Sequence, residues 1–453
     1  MRNLTVLAAL LLASAAPSSA VFAADAAKNA ALREDYIRAP MPPGFQVVPT
    51  ELEGPVYADA QGKTLYIWPF RTMRVGATGD NENMSACETK PTTETAGMMS
   101  PYPPGLVLPE LDKRLSCAQV WPPVYAADDA KPVGGFTIIT RSDGKKQWAF
   151  NKRPIYTSIL DKMPGDVMGA SGRRERGDGP AERDPIGPAP NVPPGFDVIT
   201  TAKGRLLLTD KKYSVYSYDK DQPDKSNCID ACARTWLPVL APAAAQAGGE
   251  WSVVNRAPGV RQWAFRKKPL YVSTQDTRTW SFEGSDEPGW HNVFTQEAPP
   301  LPKGFSTVNN EAGEAVIGPN GRAVYTYTCG DDSKDQLACD HPGAPQAYRI
   351  AVCGGGSVEK CNQRFPYLQA SADAKSTSRS WTILTIDPKT GHYAEPGQAG
   401  AIRVWAYRDR PLFNFYGDKK PTDMYGNTWG EFNGKRNGFR VFFVRDDFFG
   451  AAN

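Results

Sequence analysis

Four ordered segments recur three times along the 453-residue chain, and a chain built this way must form one supersecondary unit several times over. Each copy opens on a Pro-x-Gly-Phe motif: PPGFQVV (42–48), PPGFDVI (193–199) or PKGFSTV (302–308). An aromatic strand follows: KTLYIW (63–68), KYSVYSY (212–218) or RAVYTY (322–327). A cysteine segment comes next: CAQVWPPVYA (117–126), CARTWLPVLA (232–241) or CNQRFPYLQA (361–370). A hairpin-like segment closes the unit: 136–158, 251–273, or 381–390 leading to 403–415.

Each unit also divides into related halves. Tyr156 and Asp161, Tyr216 and Asp221, Tyr271 and Asp276, and Phe413 and Asp418 share one spacing. The first halves of units one and three depart from it: Arg71 stands at the offset from Tyr66, and Gly330 at the offset from Tyr325. The count is therefore six half-repeats, with insertions at 72–116 and 328–360. Segments such as WSVVNR and RQWAF alternate large apolar with polar residues, and Pro258-Gly259 or Asp143-Gly144 separates such runs, the pattern of antiparallel hairpins. With 41 Gly and 40 Pro, the chain favours many short elements joined by turns. The expected fold is all-β: three tandem units of short antiparallel strands over 40–170, 192–298 and 300–449, with a charged, Gly/Pro-rich linker at 171–191. A closed, propeller-like ring of the six halves is the architectural alternative.

Arg2, the apolar run Leu4–Ala16 and the small-residue site Val21-Phe22-Ala23 predict a cleavable export signal over 1–23. The run falls short of the roughly 20 residues that span a bilayer, and no later stretch is long and apolar enough to do so. No cysteine stands at the cleavage site to carry a lipid, so the mature chain is expected to be periplasmic or secreted. In an oxidising compartment the eight cysteines read as disulfides. They fall into three even groups, Cys87 and Cys117, Cys228 and Cys232, and Cys329, Cys339, Cys353 and Cys361. Pairing within each group is expected, with three possibilities open in the last. The formal net charge of +3 is too balanced for a nucleic-acid holder.

At these residues the chain resembles a known family. The second unit, VYSYDKDQPDKSNCIDACARTWLPVLA followed by RQWAFRKKPLYVSTQD and Trp290-His291, is similar to the bacterial "secreted repeat of unknown function" family of secreted proteins and lipoproteins. Their Yx(F/W/Y)xxD motif is Tyr216, Tyr218 and Asp221 here. The resemblance is close over 200–295, recognisable over 134–160 and partial over 315–446. It implies an exported repeat protein and brings no established activity.

Three constellations carry possible chemistry. The Tyr-x4-Asp pairs suit either a ligand site beside an aromatic face or a sheet tyrosine with a turn-capping aspartate, and their recurrence favours the structural role. Asp219, Asp221, Asp224 and Asn227 form an oxygen-rich loop that lacks the glycine and closing glutamate of a calcium hand. Cys228, Cys232 and His291 offer a soft ligand set for copper, the alternative to a disulfide. The chain has three histidines, and His341 and His392 read as surface residues in turns. The basic residues of the closing hairpin turns, Lys152, Arg153, Lys267, Lys268, Arg408 and Arg410, read as solvated. No nucleophile-elbow, zincin or phosphate-loop motif is present, so no catalytic residue and no cofactor is expected. The expectation is a non-catalytic envelope protein that binds an unidentified protein or glycan through its insertions, with copper or redox handling as the rival.

Overall fold

The computed structural model describes residues 33–67, 87, 89, 102–107, 110, 114–170, 184–329, 339–430 and 438–446. The export signal at 1–23, most of the first insertion, positions 171–183 of the linker and 330–338 of the second insertion lie outside the described residues. Among the described residues the strand pairs are antiparallel, spread over sheets of two to five strands, and none closes into a barrel. Helices are few and short.

The Pro-x-Gly-Phe motif that opens each unit is a turn. Phe45 N donates to Pro42 O at 3.1 Å, Phe196 N to Pro193 O at 3.2 Å and Phe305 N to Pro302 O at 3.0 Å. The glycine before each phenylalanine has φ between 85° and 96°, which is the residue a type II turn requires at its third position. Each turn launches a hairpin: Gln46–Pro49 with Pro55–Ala58, Phe196–Thr201 with Gly204–Thr209, and Ser306–Asn310 with Gly313–Ile317. The phenylalanine of each motif lands on the aromatic pair of the closing hairpin. Phe45 lies 5.4 Å from Phe136 and 5.8 Å from Trp148, Phe196 lies 4.8 Å from Trp251 and 6.2 Å from Trp263, and Phe305 lies 5.3 Å from Trp381 and 5.2 Å from Trp405. Recurrent sequence thus becomes one recurrent contact, burying large apolar area in small β elements.

The closing hairpins are Phe136–Thr140 with Lys146–Phe150, Trp251–Ala257 with Val260–Phe265, and Trp381–Ile386 with Ile402–Tyr407. Each then reverses through two residues of positive φ, Asn151-Lys152, Arg266-Lys267 and Arg408-Asp409, as a two-residue type I′ turn demands. These turns are not uniformly solvated. Lys152, Lys267 and Lys268 are exposed, whereas Arg408 and Arg410 are 1% and 4% accessible. Arg408 is buried because Nη2 donates to Glu53 Oε1 at 2.7 Å, and Arg410 because Nε donates to Asp340 Oδ1 at 3.2 Å. A sequence window cannot reveal a partner 355 residues away.

Four disulfides are formed and no described cysteine is free: Cys87–Cys117, Cys228–Cys232, Cys329–Cys339 and Cys353–Cys361. The last two resolve the pairing that spacing left open. Cys117, Cys232 and Cys361 sit on the short helices Cys117–Val120, Cys232–Thr235 and Val358–Arg364, and a large aromatic follows each helix. Trp121, Trp236 and Phe365 meet Tyr66, Tyr216 and Tyr325 edge-on at 5.5, 5.2 and 5.7 Å.

Residues 184–190, read as the end of the linker, run along the first part of the chain. Asp184–Pro185 pairs with Tyr66–Ile67, as Trp290–Asn292 pairs with Tyr216–Tyr218 and Gly438–Val441 with Tyr325–Thr328. The linker reading therefore stops short of residue 184.

Candidate functional site

The repeated tyrosines face one another across the sheets: Tyr66 with Tyr156, Tyr216 with Tyr271, and Tyr325 with Phe413. This places the end of each half-repeat beside the start of the other. The Tyr-x4-Asp motif consequently bonds across halves. Tyr216 OH donates to Asp276 Oδ1 at 2.9 Å, and Tyr271 OH to Asp221 Oδ2 at 2.7 Å. Tyr66 OH donates to Asp161 Oδ2 at 2.9 Å and Tyr325 OH to Asp418 Oδ2 at 2.6 Å. The aspartates also accept backbone N–H groups: Asp161 from Met168 at 2.8 Å, Asp221 from Asn227 at 2.7 Å and Asp418 from Tyr425 at 3.0 Å. Tyr218 takes no part in these bonds and stacks on Trp290 at 4.3 Å.

One facing position needs no carboxylate: Tyr325 faces Phe413, which has no hydroxyl to satisfy.

Burial sets the electrostatics. Desolvation pushes the Asp161 carboxyl up to about 7 and that of Asp276 up to about 6, against the stabilising phenol bonds, and it also raises Asp221 and Asp418. The Tyr271 phenol is pushed up to about 12 by burial, and Tyr66, Tyr216 and Tyr325 are raised as well. These phenols stay protonated and donate.

The other candidate ligand sets are dispersed. Cys228 and Cys232 are bonded to each other, which leaves no thiolate pair for a soft metal, and His291 Nε2 hydrogen-bonds Asp219 Oδ2 at 2.8 Å on the surface. Of the oxygen-rich loop, Asp221 is held by Tyr271, Asp224 accepts from Ser252 Oγ, and Asn227 Nδ2 donates to Lys220 O. No cluster of three or more metal-ligating side chains is found among the described residues.

The insertions do come together. Tyr102 OH donates to Ala347 O at 2.6 Å and stands 6.3 Å from the Tyr348 ring, while Glu110 accepts the Gln346 N–H at 2.8 Å. These contacts seat Tyr102 and Glu110 at the start of the helix Ala347–Gly354. Two histidines lie here, and His341 is buried, contrary to its surface reading. His341 is 4% accessible and desolvation lowers it to about 4, so it is neutral. His392 is half-buried, donates from Nδ1 to Pro342 O at 2.7 Å and approaches Glu110 at 3.5 Å, which raises it. Leu106, Val107 and Tyr393 on these segments are exposed.

The molecule defined so far is a disulfide-bonded, antiparallel β protein whose repeated polar motif is internal. Residues 137–171 and 197–240 match a family model described as a secreted repeat of unknown function. No curated protein and no solved structure matches the chain. The family description and the disulfides fit an extracellular or periplasmic setting, and no helix among the described residues is long and apolar enough to cross a membrane.

Proposed function

We propose that the protein is an exported, non-catalytic scaffold of three repeat units, six halves in all, which binds a cell-envelope protein or glycan. Three units are favoured over a ring of six blades because the two halves of each are paired, by the isolated Tyr66/Tyr156 bridge in the first and within one sheet through Tyr216/Tyr271 and Tyr325/Phe413 in the other two. A structural motif is favoured over a catalytic one because each phenol is buried and bonded to a carboxylate of the other half, and Asp161 and Asp418 are buried with their phenols.

The observation that carries the binding reading is the contact of Tyr102 and Glu110 with Ala347 and Gln346: residues of two insertions from distant parts of the chain build one surface on the scaffold. The test is retention of envelope components by immobilised protein, compared with a Tyr102→Ala, Glu110→Ala variant of unchanged thermal stability. Retention of a defined protein or glycan by the parent chain, lost in the variant, supports the reading. Equal retention by both, or none by either, contradicts it.

A further inference from the structure

A second site lies away from the insertions, at the junction of the three parts of the chain. It is a cavity of about 300 Å³, within the range of small-molecule sites and far above the voids of packed interiors. Leu52 comes from the first part, Lys203 from the second, and Glu314, Trp381, Tyr407 and Phe442 from the third. We infer that this cavity binds a small, uncharged, largely apolar molecule bearing one or two hydrogen-bonding groups.

The wall dictates that chemistry. Ten of the fourteen lining residues are apolar. Trp381, Tyr407 and Phe442 pack on one another, with ring centroids 5.4 Å apart for Trp381–Phe442, 4.7 Å for Tyr407–Phe442 and 5.1 Å for Trp381–Tyr407. They form a fixed surface that a flat apolar body can meet with little ordering cost. The charges at the wall cancel, because Lys203 Nζ is bonded to Glu314 Oε2, so neither an anion nor a cation finds an unpaired partner. That ion pair still offers donor and acceptor edges to a hydroxyl or amide.

The floor is locked from below. Glu51 accepts from Ser380 N at 2.9 Å and from Ser380 Oγ at 3.1 Å, and Glu53 accepts from Arg408, so the flanks of Leu52 are tied to the third part. Ala298 N donates to Lys203 O at 3.0 Å, fixing the opposite wall. Exposed Pro300 and Thr307 among the lining residues bring one side to the surface.

The test uses the full exported chain and N-phenyl-1-naphthylamine, a neutral apolar fluorophore with one N–H. We expect a saturable fluorescence rise at one probe per chain. Filling the cavity by Ala298→Trp, or its mouth by Pro300→Trp, is expected to weaken binding about tenfold or more. Leu240→Trp, at an exposed position outside the cavity lining, should leave it unchanged. The anionic analogue 8-anilinonaphthalene-1-sulfonate should bind about tenfold more weakly than the neutral probe. Far-ultraviolet circular dichroism establishes that each variant is folded, and Pro300→Trp decides the matter if Ala298→Trp is not. Non-saturable binding, indifference to the folded variants, or preference for the anion overturns the inference. Because this site does not include the insertions, its failure and that of the envelope-binding surface are read separately.

Discussion

At the residue scale, the central feature is a buried phenol donating to a carboxylate from the other half of the same unit, a carboxylate that is buried for Asp161 and Asp418 and partly exposed for Asp221 and Asp276. Tyr216→Phe leaves Asp276 short of its donor and should lower unfolding free energy by about 1–3 kcal/mol in urea denaturation. A double-mutant cycle should show coupling between Tyr216 and Asp276, and close to none between the motif neighbours Tyr216 and Asp221. Protonation gives a second expectation. The folded-state values of Asp161 and Asp276 lie above the unfolded value near 4, so the native state binds more protons and stability falls as pH rises from about 4 to about 7. His341, lowered to about 4, acts with the opposite slope, since its neutral burial costs stability as pH falls from about 6.5 toward 4. The stability difference between the parent chain and Asp161→Asn isolates the first effect: it should shrink as pH rises through that window and level off above it. The residues of the motif were legible in the sequence because they recur. Their partners were not, because pairing depends on sheet register, which joins Tyr216 to a carboxylate 60 residues away.

At the scale of elements, units one and two share a polar brace that unit three lacks. Gln147 and Gln262 donate to Ile155 O and Leu270 O at 2.7 Å, and accept from Arg141 and Arg256 at 2.9 and 2.8 Å. Both arginines reach on to the carbonyl of the first disulfide cysteine, Cys87 or Cys228. By strand position, Ile386 and Val404 stand in their places in unit three, both fully buried. A buried polar brace and an apolar pair are both complete solutions, and half of either is not. Arg256→Ile alone, or Gln262→Val alone, should therefore destabilise by more than the double replacement does, as read from thermal unfolding. The disulfides differ by loop length. Opening Cys87–Cys117, which spans 30 residues, should cost about 4 kcal/mol, against about 2 kcal/mol for Cys228–Cys232, which spans 4. Cys-to-Ala pairs followed by urea denaturation would rank them. Hairpins, turns and the local logic of the cysteines could be read from the chain, since each rests on short-range spacing. The pairing in unit three could not, because the helices that bring Cys353 to Cys361 carry no strong periodic signature.

At the scale of the whole molecule, segments distant in the chain are fastened by polar contacts that no repeat predicts. Glu34 accepts from Arg205 at 2.8 Å, Glu53 from Arg408 at 2.7 Å, and Asp286 from Arg445 at 2.6 Å. The Glu53–Arg408 pair is buried on both sides, so Glu53→Gln leaves a guanidinium without its counter-charge. A loss of about 3–5 kcal/mol is expected in urea denaturation, with separate transitions for the parts if their junction fails first. The central claim, an oxidised scaffold stapled within each part, is tested most directly by alkylating the exported protein without reduction and mapping its peptides. The account predicts no alkylated cysteine and four local bridges, Cys87–Cys117, Cys228–Cys232, Cys329–Cys339 and Cys353–Cys361. Alkylated Cys228 and Cys232, or bridges running between parts, would contradict it and return the metal-handling alternative to first place.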